Sequence, residues 1–144
     1  MTAGADPSPA GMDPALLLLR MAAGGFLLPH GLGKLLGWFG GPGLAGFAGE
    51  LQHFGLPAAA PLPLLLALVQ SGAGLALLAG AWTRASAALA ALFIAATVLV
   101  NLPHGWFWMQ GGIEYPLMWW LALLALLFAG GGAWSFDRAW RRRA

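Results

Sequence analysis

Apolar side chains gather into four long blocks, residues 15–36, 61–82, 85–102 and 115–128, separated by stretches rich in Gly, Pro and polar residues. A block of roughly 20 apolar residues is the length of helix that crosses the hydrocarbon of a bilayer. Inside hydrocarbon a backbone satisfies its own amides only as a helix or a closed barrel. The pattern therefore predicts an all-α fold, an integral membrane four-helix bundle in one domain over residues 1–144, with tails at 1–14 and 129–144.

The breaks between blocks carry their own pattern. The second, residues 83–86, is tight and predicts an antiparallel hairpin of the middle spans. In the first, residues 37–60, Leu44, Phe47, Leu51 and Phe54 recur at helical spacing with Glu50, Gln52 and His53 between them. That spacing predicts a short amphipathic helix lying in the membrane interface and capping the bundle. Small residues four apart predict close helix contacts: Gly33 and Gly37, then Gly72, Ala76 and Gly80, then Ala87, Ala91 and Ala95. The Gly72 series also offers a seam for a homo-oligomer.

Composition sharpens the membrane reading. Hydrophobic residues make up 60% of the chain and charged ones 8%, against about a quarter charged in soluble domains. Seven Lys and Arg face five acids, and Arg138, Arg141, Arg142 and Arg143 cluster at one end. A basic end after a last span reads as a topology signal rather than a nucleic-acid surface. With Arg84 between the second and third spans, both termini are expected in the cytoplasm, which in a bacterium makes this a multi-pass protein of the inner membrane. Trp38, Trp106, Trp108, Trp119 and Trp120 are then expected at the outer interface, and Trp82, Trp134 and Trp140 at the cytoplasmic one. The first 14 residues carry Asp6 and Asp13 but no Lys or Arg, unlike the basic start of a signal peptide, so the first span is expected to be retained. The absence of cysteine excludes a dithiol relay, a thiolate-held iron–sulfur cluster and a disulfide within this chain.

Polar residues inside spans are the candidates for chemistry, because lipid gives them no partner. Arg20, Gly24, Leu27, Gly31 and Lys34 follow a 4,3,4,3 spacing that places them on one helix face, with His30 beside it and Pro29 expected to kink the helix. His30, Lys34, Asn101, His104, Glu114 and Tyr115 all fall in the outer half of the bundle and form the candidate ligand-binding site. Arg20 and Gln70 form a candidate intramembrane polar pair. Glu114 could neutralise Lys34 or a protonated histidine, and imidazoles beside a carboxylate pass protons near neutral pH. That chemistry suits a quinone head group, which takes up protons on reduction. Simpler readings stand beside each assignment: Arg20 snorkelling to the headgroups, Lys34 as an interfacial anchor, His30 bonded to a backbone carbonyl, and Glu114 and His104 as an interfacial pair. Haem is disfavoured because His30, His53 and His104 share no short helical spacing. No zinc pattern, phosphate loop or nucleophile triad is present.

Several local signatures coincide. They are the early Arg20 and the His30-Gly31-x-x-Lys34 turn; Leu77-Leu78-Ala79-Gly80-Ala81-Trp82-Thr83-Arg84; Gly111-Gly112-Ile113-Glu114-Tyr115-Pro116; and Gly130-Gly131-Gly132-Ala133-Trp134-Ser135-Phe136-Asp137. In that order over residues 18–137 the chain resembles the DoxX family of small four-helix membrane proteins. The resemblance implies association with oxidoreductase systems, among them thiosulfate:quinone oxidoreductases and redox-stress membrane complexes with soluble partners. It also implies a glutamate in the second span where this chain has Gln70, and an amide carries no proton in ordinary catalysis. The expected function is a membrane subunit that links the electron transfer of a soluble or membrane redox partner to the quinone pool, with catalysis by the chain alone left open. The alternative is a non-enzymatic scaffold or small-solute permease whose polar stripe lines a path or fixes the bundle.

Overall fold

The computed structural model describes residues 11–143; residues 1–10 of the expected N-terminal tail, and Ala144, lie outside the described residues. Six α-helices follow in order: α1 (Met12–Leu36), α2 (Gly43–His53), α3 (Leu62–Ala79), α4 (Thr83–Asn101), α5 (Glu114–Ala129) and α6 (Phe136–Arg141). Among the described residues there is no strand. Helices α1, α3 and α4 are long and apolar enough to cross a membrane, whereas α5 is apolar but shorter, at 16 residues. At about 1.5 Å per residue, α5 reaches about 24 Å, so its flanking loops complete the depth of a core about 30 Å thick.

The bundle is held by two helix pairs, α1 with α3 and α4 with α5, joined through α3 and α4. Its core combines Leu16, Ala23 and Leu27 of α1 with Ala73 and Leu77 of α3, Ala87, Ala90, Ala91 and Ile94 of α4, and Leu123 and Leu126 of α5. The outward faces are equally apolar: Leu18, Leu75, Leu92, Leu99 and Phe128 are among the most exposed side chains. Such an exterior suits lipid and not water.

The 4,3,4,3 stripe of α1 is its packed face, with Arg20, Gly24, Leu27 and Gly31 buried and Lys34 half-buried at its end. Backbone contact there depends on glycine. A Cβ on Gly31 would lie 2.6 Å from Ser71 N, and one on Gly24 would lie 2.7 Å from the Gly74 carbonyl oxygen. The close approach of α1 to α3 thus uses Gly24, Gly31 and Gly74 rather than the Gly72 series. Gly72 itself is exposed with open space around it, while Gly80 is buried. Ala87 and Ala91 do lie on the packed face of α4.

One further expectation is corrected. The α3–α4 turn occupies residues 80–82, because Gly80 and Trp82 both adopt left-handed φ (67° and 44°) and residues 83–86 already form the first turn of α4. Helix α1 continues through Pro29 to Leu36 as a single α-helix. Trp119 and Trp120 are half-buried against the core, whereas Trp38, Trp106, Trp108, Trp82, Trp134 and Trp140 are exposed. Helix α2 forms where its spacing indicates and buries Phe47 and Leu51 against Ala67, with Leu35, Leu66 and Phe93 around them.

Candidate functional site

Lys34 ends the buried stripe of α1, and its ammonium meets groups from three other helices. Nζ donates to Gln70 Oε1 of α3 at 3.0 Å. It also sits 4.7 Å from the centroid of the Phe47 ring of α2 and 4.8 Å from that of Phe93 of α4. A neutral amide and two ring faces stabilise the cation without cancelling its charge. An ammonium has three donors, so two remain beyond the bond to Gln70. This is a positive hydrogen-bonding head set in an apolar wall.

Two cavities meet at this lysine. The larger, about 920 Å³, runs beneath α2 and along α3 and α4; Lys34, Glu50, His53, Thr97 and Asn101 supply its polar groups, and Leu66, Val69, Leu89, Leu92 and Val100 part of its apolar wall. The smaller, about 440 Å³, is lined by His30, Lys34 and Glu50 with Trp38 and Pro42. Lys34 and Glu50 line both. The larger falls in the size range of ligand sites, and a mostly apolar wall with a few polar groups is their usual composition.

The six expected outer residues do not form one pocket. Lys34 and Asn101 line the larger cavity, and His30 the smaller one with Lys34. His30 is exposed rather than enclosed, with its ring edge-on to Trp119 at 5.4 Å between centroids. Tyr115 packs against that same Trp119 with the rings tilted by 49° and their centroids 5.0 Å apart. His104 lies in the aromatic loop between α4 and α5, Glu114 opens α5, and neither lines either cavity. Glu114 Oε1 accepts the Trp108 N–H at 3.0 Å, so Lys34 has Gln70 where Glu114 was expected. The reason is local: Glu114 opens α5 and closes the loop it follows, with its own N–H bonded to the Trp106 carbonyl. His30, His53 and His104 are dispersed over α1, α2 and the α4–α5 loop. Glu50, His53, Phe47 and Phe93 were absent from the candidate set. The first three sit on the amphipathic repeat of α2, a usable signal; Phe93 lies in a uniformly apolar span and gave none.

Arg20 and Gln70 are likewise apart. Arg20 is 1% exposed, so its guanidinium does not snorkel; Nη2 donates to the Trp134 carbonyl at 2.8 Å, and Nε and Nη1 have no partner among the described residues. It lies against Gly80, where any Cβ would overlap Nη1. Gln70 is ten residues earlier on α3, about 15 Å along the axis. Around Arg20 the C-terminal segment is fastened to the bundle. Asp137 Oδ1 accepts from Trp82 N at 2.6 Å, Oδ2 accepts from Thr83 N at 2.8 Å, and Asp137 N donates to the Gly80 carbonyl at 3.0 Å. Asp13 Oδ1 accepts from Ala133 N at 2.7 Å. Burial raises the Asp137 carboxyl, but the N–H groups of Thr83 and Trp82 and the charge of Arg141 outweigh it and hold its pKa below the ordinary value.

Three to four apolar helices with an apolar exterior define a multi-pass helical membrane protein. The DoxX family profile matches residues 15–102, which span α1 to α4, and the chain belongs to the DoxX family. That family is often associated with oxidoreductase systems. Comparison with curated proteins and with solved structures gives no match.

Proposed function

We propose that this protein is a bacterial inner-membrane subunit of an oxidoreductase system, that it holds a quinone in the larger cavity, and that a redox partner protein supplies the electrons. The observation that carries the reading is the Lys34 ammonium, held by one hydrogen bond and two ring faces, in the wall of a cavity whose remaining lining is largely apolar. The donor set fits: a carbonyl-bearing ring requires a hydrogen-bond donor at its oxygen and apolar faces beside it, and its isoprenoid tail requires an apolar groove. A bound quinone supplies two-electron, two-proton chemistry. Lys34 donates a hydrogen bond to the head group, Asn101 orients it, and Phe47 and Phe93 exclude water. Glu50 and His53, both exposed on α2, exchange protons with the aqueous phase, and His30 extends that route through the smaller cavity. Gln70 holds the lysine and carries no proton.

In this reading α2 lies in the outer interface, above the cavity, and both termini are cytoplasmic. A reporter fused after Ala144 tests the orientation; periplasmic activity would reverse it. The function is tested by gentle purification from native membranes and mass spectrometry of extracted quinone per protein, with Lys34→Met and Gln70→Leu in parallel. Stoichiometric quinone in the wild type, lost in Lys34→Met at unchanged helicity, is the expected result. Quinone no higher than in an unrelated membrane protein, together with no binding in bilayers, overturns the reading in favour of a scaffold or solute permease.

A further inference from the structure

A second polar cavity, about 650 Å³, opens at the opposite end of the bundle, between the first turns of α1 and α4, the bend at residues 129–133 and α6. Arg84, Arg138 and Arg141 line it, against two carboxylates, Asp13 and Asp137. Both carboxylates already accept backbone N–H groups. Arg138 Nε is buried and has no hydrogen-bond partner among the described residues. The cavity therefore keeps an excess positive charge, and Arg138 in its wall holds a desolvated guanidinium nitrogen without an acceptor. Neither feature helps the fold, since a buried donor without an acceptor costs free energy.

The surroundings set its depth. Trp82, Trp134, Phe136 and Trp140 are all exposed around this end, and Phe128 is exposed on α5 just above the bend. Exposed tryptophans at the end of apolar helices belong at the headgroup level of a bilayer. Guanidiniums at that level pair with phosphate oxygens in bidentate fashion.

We propose that this pocket binds the phosphate of an anionic phospholipid through Arg84, Arg138 and Arg141. A lipid and not a soluble acidic partner is favoured because the rim is aromatic and continuous with the lipid-facing surface, so a headgroup reaches the pocket while its chains stay in hydrocarbon. Each arginine near an anionic surface contributes about fivefold in affinity, and three give about a hundredfold preference over a zwitterionic lipid of equal chain length.

The experiment is native mass spectrometry of the full chain released from detergent containing equimolar phosphatidylglycerol and phosphatidylcholine. One retained phosphatidylglycerol is expected. The Arg84→Gln/Arg138→Gln/Arg141→Gln variant should lose most of the preference, whereas Arg142→Gln/Arg143→Gln, outside the pocket lining, should change it less than about tenfold, about threefold for each exposed, screened charge. Equal retention of the two lipids by the wild type overturns the proposal, as does an equal loss in both variants, which would reveal diffuse attraction to the basic end. Displacement of the lipid by glycerol phosphate at the affinity of the lipid itself would assign the site to free phosphate esters and overturn the lipid assignment. Should the triple variant fail to fold, Arg84→Gln alone, at an exposed side chain, should weaken retention about fivefold, and unchanged retention counts against the pocket.

Discussion

Asp137→Ala removes one side chain from the C-terminal helix and leaves two donors at the start of α4, Trp82 N and Thr83 N, without their acceptors at 2.6 and 2.8 Å. The carboxylate caps a helix to which it is not contiguous, placing a negative charge at the N-terminal end of its dipole. A lost N-cap costs about 0.5–2 kcal/mol, and a bond to a charged acceptor about 1.5–3 kcal/mol. Because Trp82 is exposed and water replaces its acceptor cheaply, the expected loss is about 2 kcal/mol, at the low end of that combined range. Asp137→Asn, which keeps an acceptor and drops the charge, should lose about half as much. The folded-state pKa of Asp137 lies below its ordinary value, so its contribution is complete above about pH 4. It disappears as pH falls through the lowered folded value. Unfolding in mixed micelles of rising SDS content, followed by tryptophan emission, should show the wild-type advantage over Asp137→Ala constant from pH 8 to 5 and shrinking below 4. An advantage under about 0.5 kcal/mol at pH 7, less than any cap loss in the range used here, or one that grows on acidification, would refute the capping role.

Three further outcomes follow from the packing. Lys34→Met should leave stability within about 1 kcal/mol, since the lost bond and ring contacts are offset by removing a half-buried charge, yet lower quinone retention at least tenfold, measured by extraction and mass spectrometry. Gly31→Ala should cost about 1–3 kcal/mol by driving a methyl into Ser71, whereas Gly25→Ala, with nothing within 4 Å, should be neutral or gain up to about 1 kcal/mol; equal effects in SDS unfolding would contradict the close α1–α3 approach. Arg20→Met should cost under about 1 kcal/mol or stabilise, because it removes two buried unpaired nitrogens along with one hydrogen bond; a loss above 3 kcal/mol would show the guanidinium fully solvated inside the bundle.

The four long helices and α2 were legible in the chain because each rests on many side chains obeying one period, and the stripe from Arg20 to Lys34 was legible as a face for the same reason. What pairing each polar group adopts was not. Arg20 and Gln70 were joined as polar residues on different spans, but the pairing depends on axial height, which hydrophobic pattern does not encode in a span that is apolar throughout. Glu114 was assigned to Lys34 by charge complementarity, while the backbone N–H of Trp108, six residues earlier, proved the nearer partner. The segment after residue 128 reads as a basic tail; its docking depends on Asp137 finding two backbone donors 54 and 55 residues earlier, and no local periodicity marks such a bond.

The two ends of the bundle are built on opposite principles, and that contrast bears on function. At the Arg20 end, backbone groups and carboxylates close on one another so that α1, the α3–α4 turn and α6 are fixed to each other. At the Lys34 end, a helix docked mainly by Phe47 and Leu51 covers a cavity, and the bond between Lys34 and Gln70 spans the principal α1–α3 contact. A bundle pinned at one end and covered at the other by a short apolar contact has its softest coordinate at α2. Local opening draws on elements with little buried apolar area; α2 buries only Phe47 and Leu51, and α6, which buries no side chain, is held instead by the Asp137 bonds. Movement of α2 would open the larger cavity while the glycine-packed α1–α3 seam keeps Lys34 and Gln70 in register. Under the proposed function, entry of the quinone and retention of its binding geometry would then fall to different parts of the same small fold.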